Sequence, residues 1–190
     1  MLRRLTLLLA ALVVLGLTVP PAVAAQSGPL KIGVLGPITG GAAVIGGGEV
    51  NGIKLRLKQL NNEIAGRKVE LIVEDDAGDP TTGLTKAQKL IERDRVDVFL
   101  GPLLSHVVLA VRDYVGGKGV PQLTFVAQPP EAVKHPTTFV PSWNAVQIGR
   151  IFGDYAARKL GYKKVNIVSS QYVFGTRVSD GFREIGRAHV

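Results

Sequence analysis

The chain contains no cysteine. That excludes a disulfide framework, and it excludes a lipid carried on a cysteine. A run of like charge is also missing. The 23 Lys and Arg residues outnumber 15 Asp and Glu, for a formal charge of +8, but they are scattered over many segments. Without a basic stripe, nucleic acid is not an expected partner. Glycine is plentiful, yet no GxGxxG follows the first strand pattern and no lysine closes a GxxxxG spacing, so nucleotide binding is not expected either. His106, His135 and His189 lack metal-ligand spacing. Ser105 and His106 are adjacent, but no G-x-S-x-G turn surrounds them, and neighbours at a helix start point in different directions. Acyl transfer, a metal and a cofactor are therefore not expected.

What is there begins with a leader pattern. Arg3 and Arg4 precede an apolar run, Leu5 to Leu17, broken by Pro20-Pro21 and followed by Ala22-Val23-Ala24. This is the layout of a signal peptide over residues 1–25, cleaved after Ala24 or Ala25. The run is short for a membrane span, which needs ~20 residues. A mature protein free in solution outside the inner membrane, in the periplasm, is expected.

Beyond the leader, strand and helix patterns alternate. Lys31–Leu35 reads as a strand, followed by a glycine-rich loop, Gly36–Gly48. Val50, Ile53, Leu57 and Leu60 recur at helical spacing. Lys68–Glu74 is a second strand, and Asp79-Pro80 starts a helix with Leu84, Ala87, Leu90 and Ile91 inward. Val96–Leu100 is a third strand; Ser105 stands before a helical pattern of Val107, Val108, Val111 and Tyr114. Gly119–Phe125 supplies a fourth strand, and the four prolines between Val126 and Pro141 mark an irregular segment. A helix is expected over Ala145–Leu160 with Ile148, Ile151, Phe152, Tyr155 and Ala156 inward, then a strand at Lys164–Ser169 and a further helix starting at Phe174-Gly175. The fold class is α/β: a doubly wound parallel sheet with helices on both faces, and the start of a second α/β lobe. Ligands of such sheets sit outside the carboxyl ends of the strands, where Gly36–Gly48, Gly101–Ser105 and Val126–Pro130 converge.

Ser105 is the first candidate site residue. A serine at a helix start caps the helix and stands among free N–H groups at the positive end of its dipole, a place that accepts a carboxylate. Glu74, Asp75, Asp76 and Asp79 form an acidic cluster. It reads as a solvated strand end plus a helix cap at Asp79, with a magnesium-dependent site as the competing reading. Tyr172, Phe174 and Trp143 serve packing, or an apolar platform at a cleft mouth.

Several stretches are similar to leucine/isoleucine/valine-type periplasmic binding proteins: Lys31–Gly40, Glu74–Pro80, Gly101–Ser105, Phe139–Asn144 and Ser169–Gly175. The resemblance runs in register from Pro29 to about Arg183. It implies the solute-capture subunit of an ABC importer, with no catalysis, two α/β lobes closing on a small amino-acid-like solute, an ABC permease as partner, and a monomer. Carried over by position, Ser105 binds the carboxylate of the ligand. Val126, Ala127 and Gln128 form the loop that holds its ammonium and carboxylate, and Phe174 is the aromatic of the second lobe. Ile45 falls where some members carry another aromatic, and Gln128 where amino-acid binders often carry threonine. With those two departures, amides, urea-like solutes and aromatic acids are compatible beside an amino acid. Gly78 stands where some relatives have a cysteine.

The resemblance divides the chain into a first lobe, 29–142, lacking the segment that returns to complete it, and the start of a second, 143–183. Residues 184–190 depart from the family and coincide with a translated frame of a common sequencing adapter, so they are not expected to be protein sequence. Members are about twice this length, as two full lobes require. A chain ending there leaves apolar surface uncovered and is expected to be poorly soluble. A ligand-sensing domain of a receptor is the competing function, and an exported metal-dependent α/β enzyme using Asp75 and Asp76 the more distant one.

Overall fold

The fold is taken from a computed structural model, which describes residues 28–126 and 128–188. The leader pattern, Ala127 and His189 lie outside the described residues. Alternation builds the sheet. In β1 (Leu30–Gly36), Ile32 and Val34 point to one face, and Gly33 and Leu35 to the other. On the first face lies α1 (Ala43–Gln59), which buries Val50 and packs Ile53 beside Val69, Leu71 and Val73 of β3 (Arg67–Asp75). On the second face lie α2 (Pro80–Gln88), prolonged by a wider turn at Lys89–Arg93, and α3 (Ser105–Gly117). They enclose Leu35, Ala87, Leu90, Val96, Phe99, Val107, Val111 and Val115. Two apolar layers around a buried sheet are what a doubly wound fold requires.

The remaining strands are short: β2 (Glu63–Ile64), β4 (Val98–Leu100), β5 (Gln122–Leu123) and β6 (Thr138–Phe139). The sheet order is β2-β3-β1-β4-β5-β6. Only the β2–β3 pair is antiparallel; β1 pairs in parallel with β3 and with β4, and the ladder continues in parallel through β5 to β6. The chain leaves β1 towards β3 on one side and then places β4 on the other. Between β1 and β4 the winding therefore reverses, and the crevice at their carboxyl ends is where such folds take ligands.

Four expectations from the sequence are corrected. The loop after β1 is shorter than Gly36–Gly48, because α1 begins at Ala43 and takes in Gly46, Gly47 and Gly48. A Cβ at Gly46 would lie 2.3 Å from the Pro37 carbonyl oxygen, so glycine there lets helix and loop touch. The proline-rich segment is not irregular throughout: it forms a 3-10 turn, Pro130–Val133, and then β6. Lys164–Ser169 forms no strand, because no neighbouring strand among the described residues offers it a ladder, and Val168 is 98 % exposed.

The fourth correction concerns the face of α4 (Ala145–Asp154). Ala145, Gly149 and Gly153 are buried, whereas Ile151, Phe152 and Tyr155 are exposed. These small residues recur every four positions and make a flat stripe. It lets the backbone of α5 (Val173–Ala188) approach so closely that a Cβ at Gly149 would overlap the Val178 carbonyl. Gly181 of α5 meets the Val146 carbonyl in the same way. Within this chain, contact between small residues sets which side of α4 meets α5.

Candidate functional site

Asp75 closes the loop after β1. Its Oδ1 accepts from the Ile38 N–H at 2.8 Å, the Thr39 N–H at 3.2 Å and the Ala77 N–H at 2.8 Å; Oδ2 accepts from the Thr39 hydroxyl at 2.6 Å. Burial acts upward on this carboxyl, but the Thr39 hydroxyl and the three amides outweigh it and hold the pKa below the ordinary range. Asp79 is the expected cap of α2, accepting from the Thr82 N–H at 2.7 Å. Asp76 departs from the expectation of a solvated strand end. It is fully buried, with Oδ1 taken by the Gly78 N–H at 2.8 Å and Oδ2 without a partner. Its backbone N–H donates to the Gly36 carbonyl, which draws the residue under the β1 edge and out of solvent.

Ser105 opens α3 at the crevice between β1 and β4, as the sequence suggests, but it is not the cap. The cap residue is Leu104, with φ −81° and ψ 131°, and no side chain bonds to the free amides there. Ser105 is the first helical residue and only 2 % exposed. The first-turn amides of a helix have no carbonyl partner within it. The Val107 N–H already donates to the Leu104 carbonyl at 2.9 Å, so the Ser105 and His106 amides and the Ser105 hydroxyl are the groups this turn offers to a ligand.

Gln128 joins this turn. Its side chain is fully buried, and Nε2 donates to the Leu103 carbonyl at 2.9 Å, two residues before Ser105. Its Oε1 has no partner. Its backbone carbonyl accepts from the Ala145 N–H at 2.9 Å, so the same residue anchors the start of α4. There Asn144 and Gln147 form a reciprocal capping box. Thr124, also buried, has a hydroxyl without a partner near this rim. Val126 is 40 % exposed beside it.

Phe174 reaches the same region through two rings. His106 meets Tyr172 edge-on, 5.8 Å between centroids, and Tyr172 stacks on Phe174 at 6.1 Å. The row runs from the start of α3 to the start of α5. A second tie between these parts is the ion pair of Arg177, on α5, with Glu131 of the 3-10 turn; the Glu131 carbonyl also accepts from Arg112 of α3. Of the sequence candidates, Ser105, Gln128 and Phe174 thus fall into one connected region with Val126 at its edge. Ile45, 58 % exposed on the first turn of α1, stands outside those contacts.

Sequence reasoning missed Glu49. It lies on α1 four residues before Ile53 and eight before Leu57, and so on the buried stripe; a lone carboxylate at that register is the signal that could have found it. It also passed over His106 and Tyr172 as packing or chance neighbours, because ring contacts across 66 residues leave no mark on local periodicity.

A parallel sheet with its winding reversal, and a rim of buried polar groups at that point, define a small-molecule-binding lobe. The profile of the periplasmic binding protein family matches residues 29–189, and the chain belongs to that family. Its members are solute-binding proteins, not enzymes, and are periplasmic or extracytoplasmic. The Leu/Ile/Val-binding protein BraC3 of Rhizobium johnstonii is 30 % identical over 158 residues, covering 81 % of this chain and 43 % of that protein. The Leu/Ile/Val-binding protein homolog 3 of Brucella melitensis is 27 % identical over the same shares. A solute-binding protein of an ABC transporter from Rhodopseudomonas palustris, solved with 3,4-dihydroxybenzoic acid, superposes with a TM-score of 0.79 at 33 % identity, over 85 % of this chain and 44 % of that one. The chain spans less than half the length of these relatives. No helix among the described residues is long and apolar enough to cross a membrane.

Proposed function

We propose that the chain supplies the capture surface of an ABC importer's solute-binding subunit in the periplasm. The solute is an amino acid or a related small carboxylate or amide. The observation that carries this reading is the uncapped start of α3, where a buried serine hydroxyl and free amides adjoin Gln128, itself tied to Leu103. Ser105 takes the carboxylate of the solute. Val126, Ala127 and Gln128 take its other polar groups, and Phe174 closes over it as the lobes, 29–142 and 143 onward, swing together. The subunit works as a monomer delivering to a permease.

Aromatic carboxylates are the second reading. The Tyr172–Phe174 stack offers a flat apolar wall, and the Rhodopseudomonas relative was solved with an aromatic acid. Titration calorimetry on the protein that carries this chain, with leucine in one arm and 3,4-dihydroxybenzoate in the other, separates the two. A hydrogen bond to a charged group is worth ~1.5–3 kcal/mol. Ser105→Ala is therefore expected to weaken capture of the binding solute roughly ten- to a hundredfold. Unchanged affinity would remove Ser105 from the site.

A further inference from the structure

Behind the rim, four buried atoms share one deficiency. Both carboxylate oxygens of Glu49, Oδ2 of Asp76 and Nδ1 of His106 have no hydrogen-bond partner. His106 Nε2 donates to the Gly78 carbonyl at 2.9 Å, while its Nδ1 has no partner. The three carboxylate oxygens are acceptors that no donor reaches. A buried acceptor without a donor is costly, and a buried carboxylate more so. Such a set is relieved by adding protons or a cation. No group of three or more His, Asp and Glu side chains among the described residues is placed to hold a metal.

We infer that the unpartnered carboxyls of Glu49 and Asp76 form a buried proton store, linked to His106 through Gly78, that ties the start of α3 to external pH. The connection to the site is direct: Asp76 holds the Gly78 N–H, the Gly78 carbonyl holds His106, and His106 follows Ser105 and contacts Tyr172. The charges facing the pair come from several elements. Asp75 on β3, Asp79 at the α2 cap and the Glu49 carboxyl on α1 work against ionising Asp76, and among the described residues the Gly78 amide and His106 on α3 favour it.

The electrostatics of the two carboxyls follow from this shortage of donors. Burial, reinforced by Asp76, pushes Glu49 up to about 7. Burial also pushes Asp76 up to about 6; Asp75 and Asp79 add to it, while the Gly78 amide and His106 oppose. A carboxyl raised in the fold binds its proton more tightly there than in the unfolded chain. The stability it contributes is complete below the ordinary carboxylate range and is lost as pH rises through about 6 and about 7. Asp75 and Asp79, held below the ordinary range, change protonation only in more acidic solution and do not blur this window.

The experiment has two readouts on the protein that carries this chain. Side-chain carboxyl ¹³C shifts are followed from acid to weakly alkaline pH, and urea midpoints are compared at about pH 5 and pH 8 for wild type and Glu49→Gln. At least one of the two carboxyls is expected to titrate above pH 5.5, and the wild-type midpoint to fall towards pH 8. The glutamine variant, which cannot ionise, is expected to lose much of that fall. Both carboxyls titrating near 4, or an equal fall in the two proteins, would overturn the inference. Should the variant not fold, the wild-type ¹³C titration decides alone. Neither readout depends on which solute is captured, so failure here leaves the capture reading intact.

Discussion

Phe99→Ala is expected to lower unfolding stability by about 3–5 kcal/mol, the range for removing a fully buried phenylalanine. Phe99 is wholly inaccessible, on the central strand β4, whose partners β1 and β5 flank it on both sides. Opposite it on β1 is Gly33, which contributes no side chain and no atoms to refill the space. Another Cβ there would lie 2.9 Å from Val96, so the surroundings are already closed and cannot collapse inward without moving backbone. Set against a typical domain stability of ~5–15 kcal/mol, this loss consumes a large share. Urea denaturation followed by far-UV circular dichroism measures it. Phe99→Leu, which keeps most of the volume, is expected to lose markedly less; equal losses would mean that the ring fills no unique space.

The parts of this fold that were legible in the sequence are those whose burial is periodic. Ile32 and Val34 against Gly33 and Leu35, and Val107, Val108 and Val111 on α3, write their faces into spacing alone. Asp79-Pro80 announces the start of α2 because a cap acts locally. Strand β5 (Gln122–Leu123) lies inside the expected Gly119–Phe125 but is only two residues long, and β6, also two residues, exists because a neighbour offers a ladder, which nothing within two residues encodes. The same dependence explains Lys164–Ser169, whose strand-like composition finds no ladder partner among the described residues and is largely exposed.

Site residues divide along the same line. Ser105 was legible as the residue at the carboxyl end of a strand where a helix begins, but not its displacement from cap to first helical residue, because that depends on the backbone angles of Leu104. Gln128 could be placed on the loop after β5, whereas its complete burial and its bond to Leu103 are tertiary facts. The acidic run misled for a related reason. Adjacent Asp75 and Asp76 look alike in sequence, yet one accepts from four donors and the other has a buried oxygen with none.

Gly101→Ala is expected to combine a stability loss with a loss of capture. Gly101 has φ +96°, a conformation that costs a residue with a side chain roughly 1–2 kcal/mol. A Cβ there would lie 2.1 Å from the Leu35 carbonyl oxygen and 2.9 Å from Phe125, and overpacking of this kind adds about 1–3 kcal/mol. The first neighbour is backbone of β1, which cannot rotate aside. Relief has to come from Gly101 itself, whose N–H donates to the Leu123 carbonyl at 2.7 Å and whose carbonyl accepts from Gln122 Nε2 at 3.0 Å. Moving it strains the β4–β5 ladder and carries Pro102, Leu103 and Leu104 with it, and so shifts both the Ser105 hydroxyl and the carbonyl that fixes Gln128. A destabilisation of about 2–5 kcal/mol, the sum of those two contributions, should therefore come with weaker solute binding by the molecules that remain folded. Calorimetry below the melting midpoint, corrected for the folded fraction, measures the second effect. Stability lost with affinity intact would show that the turn supports the sheet without positioning the rim.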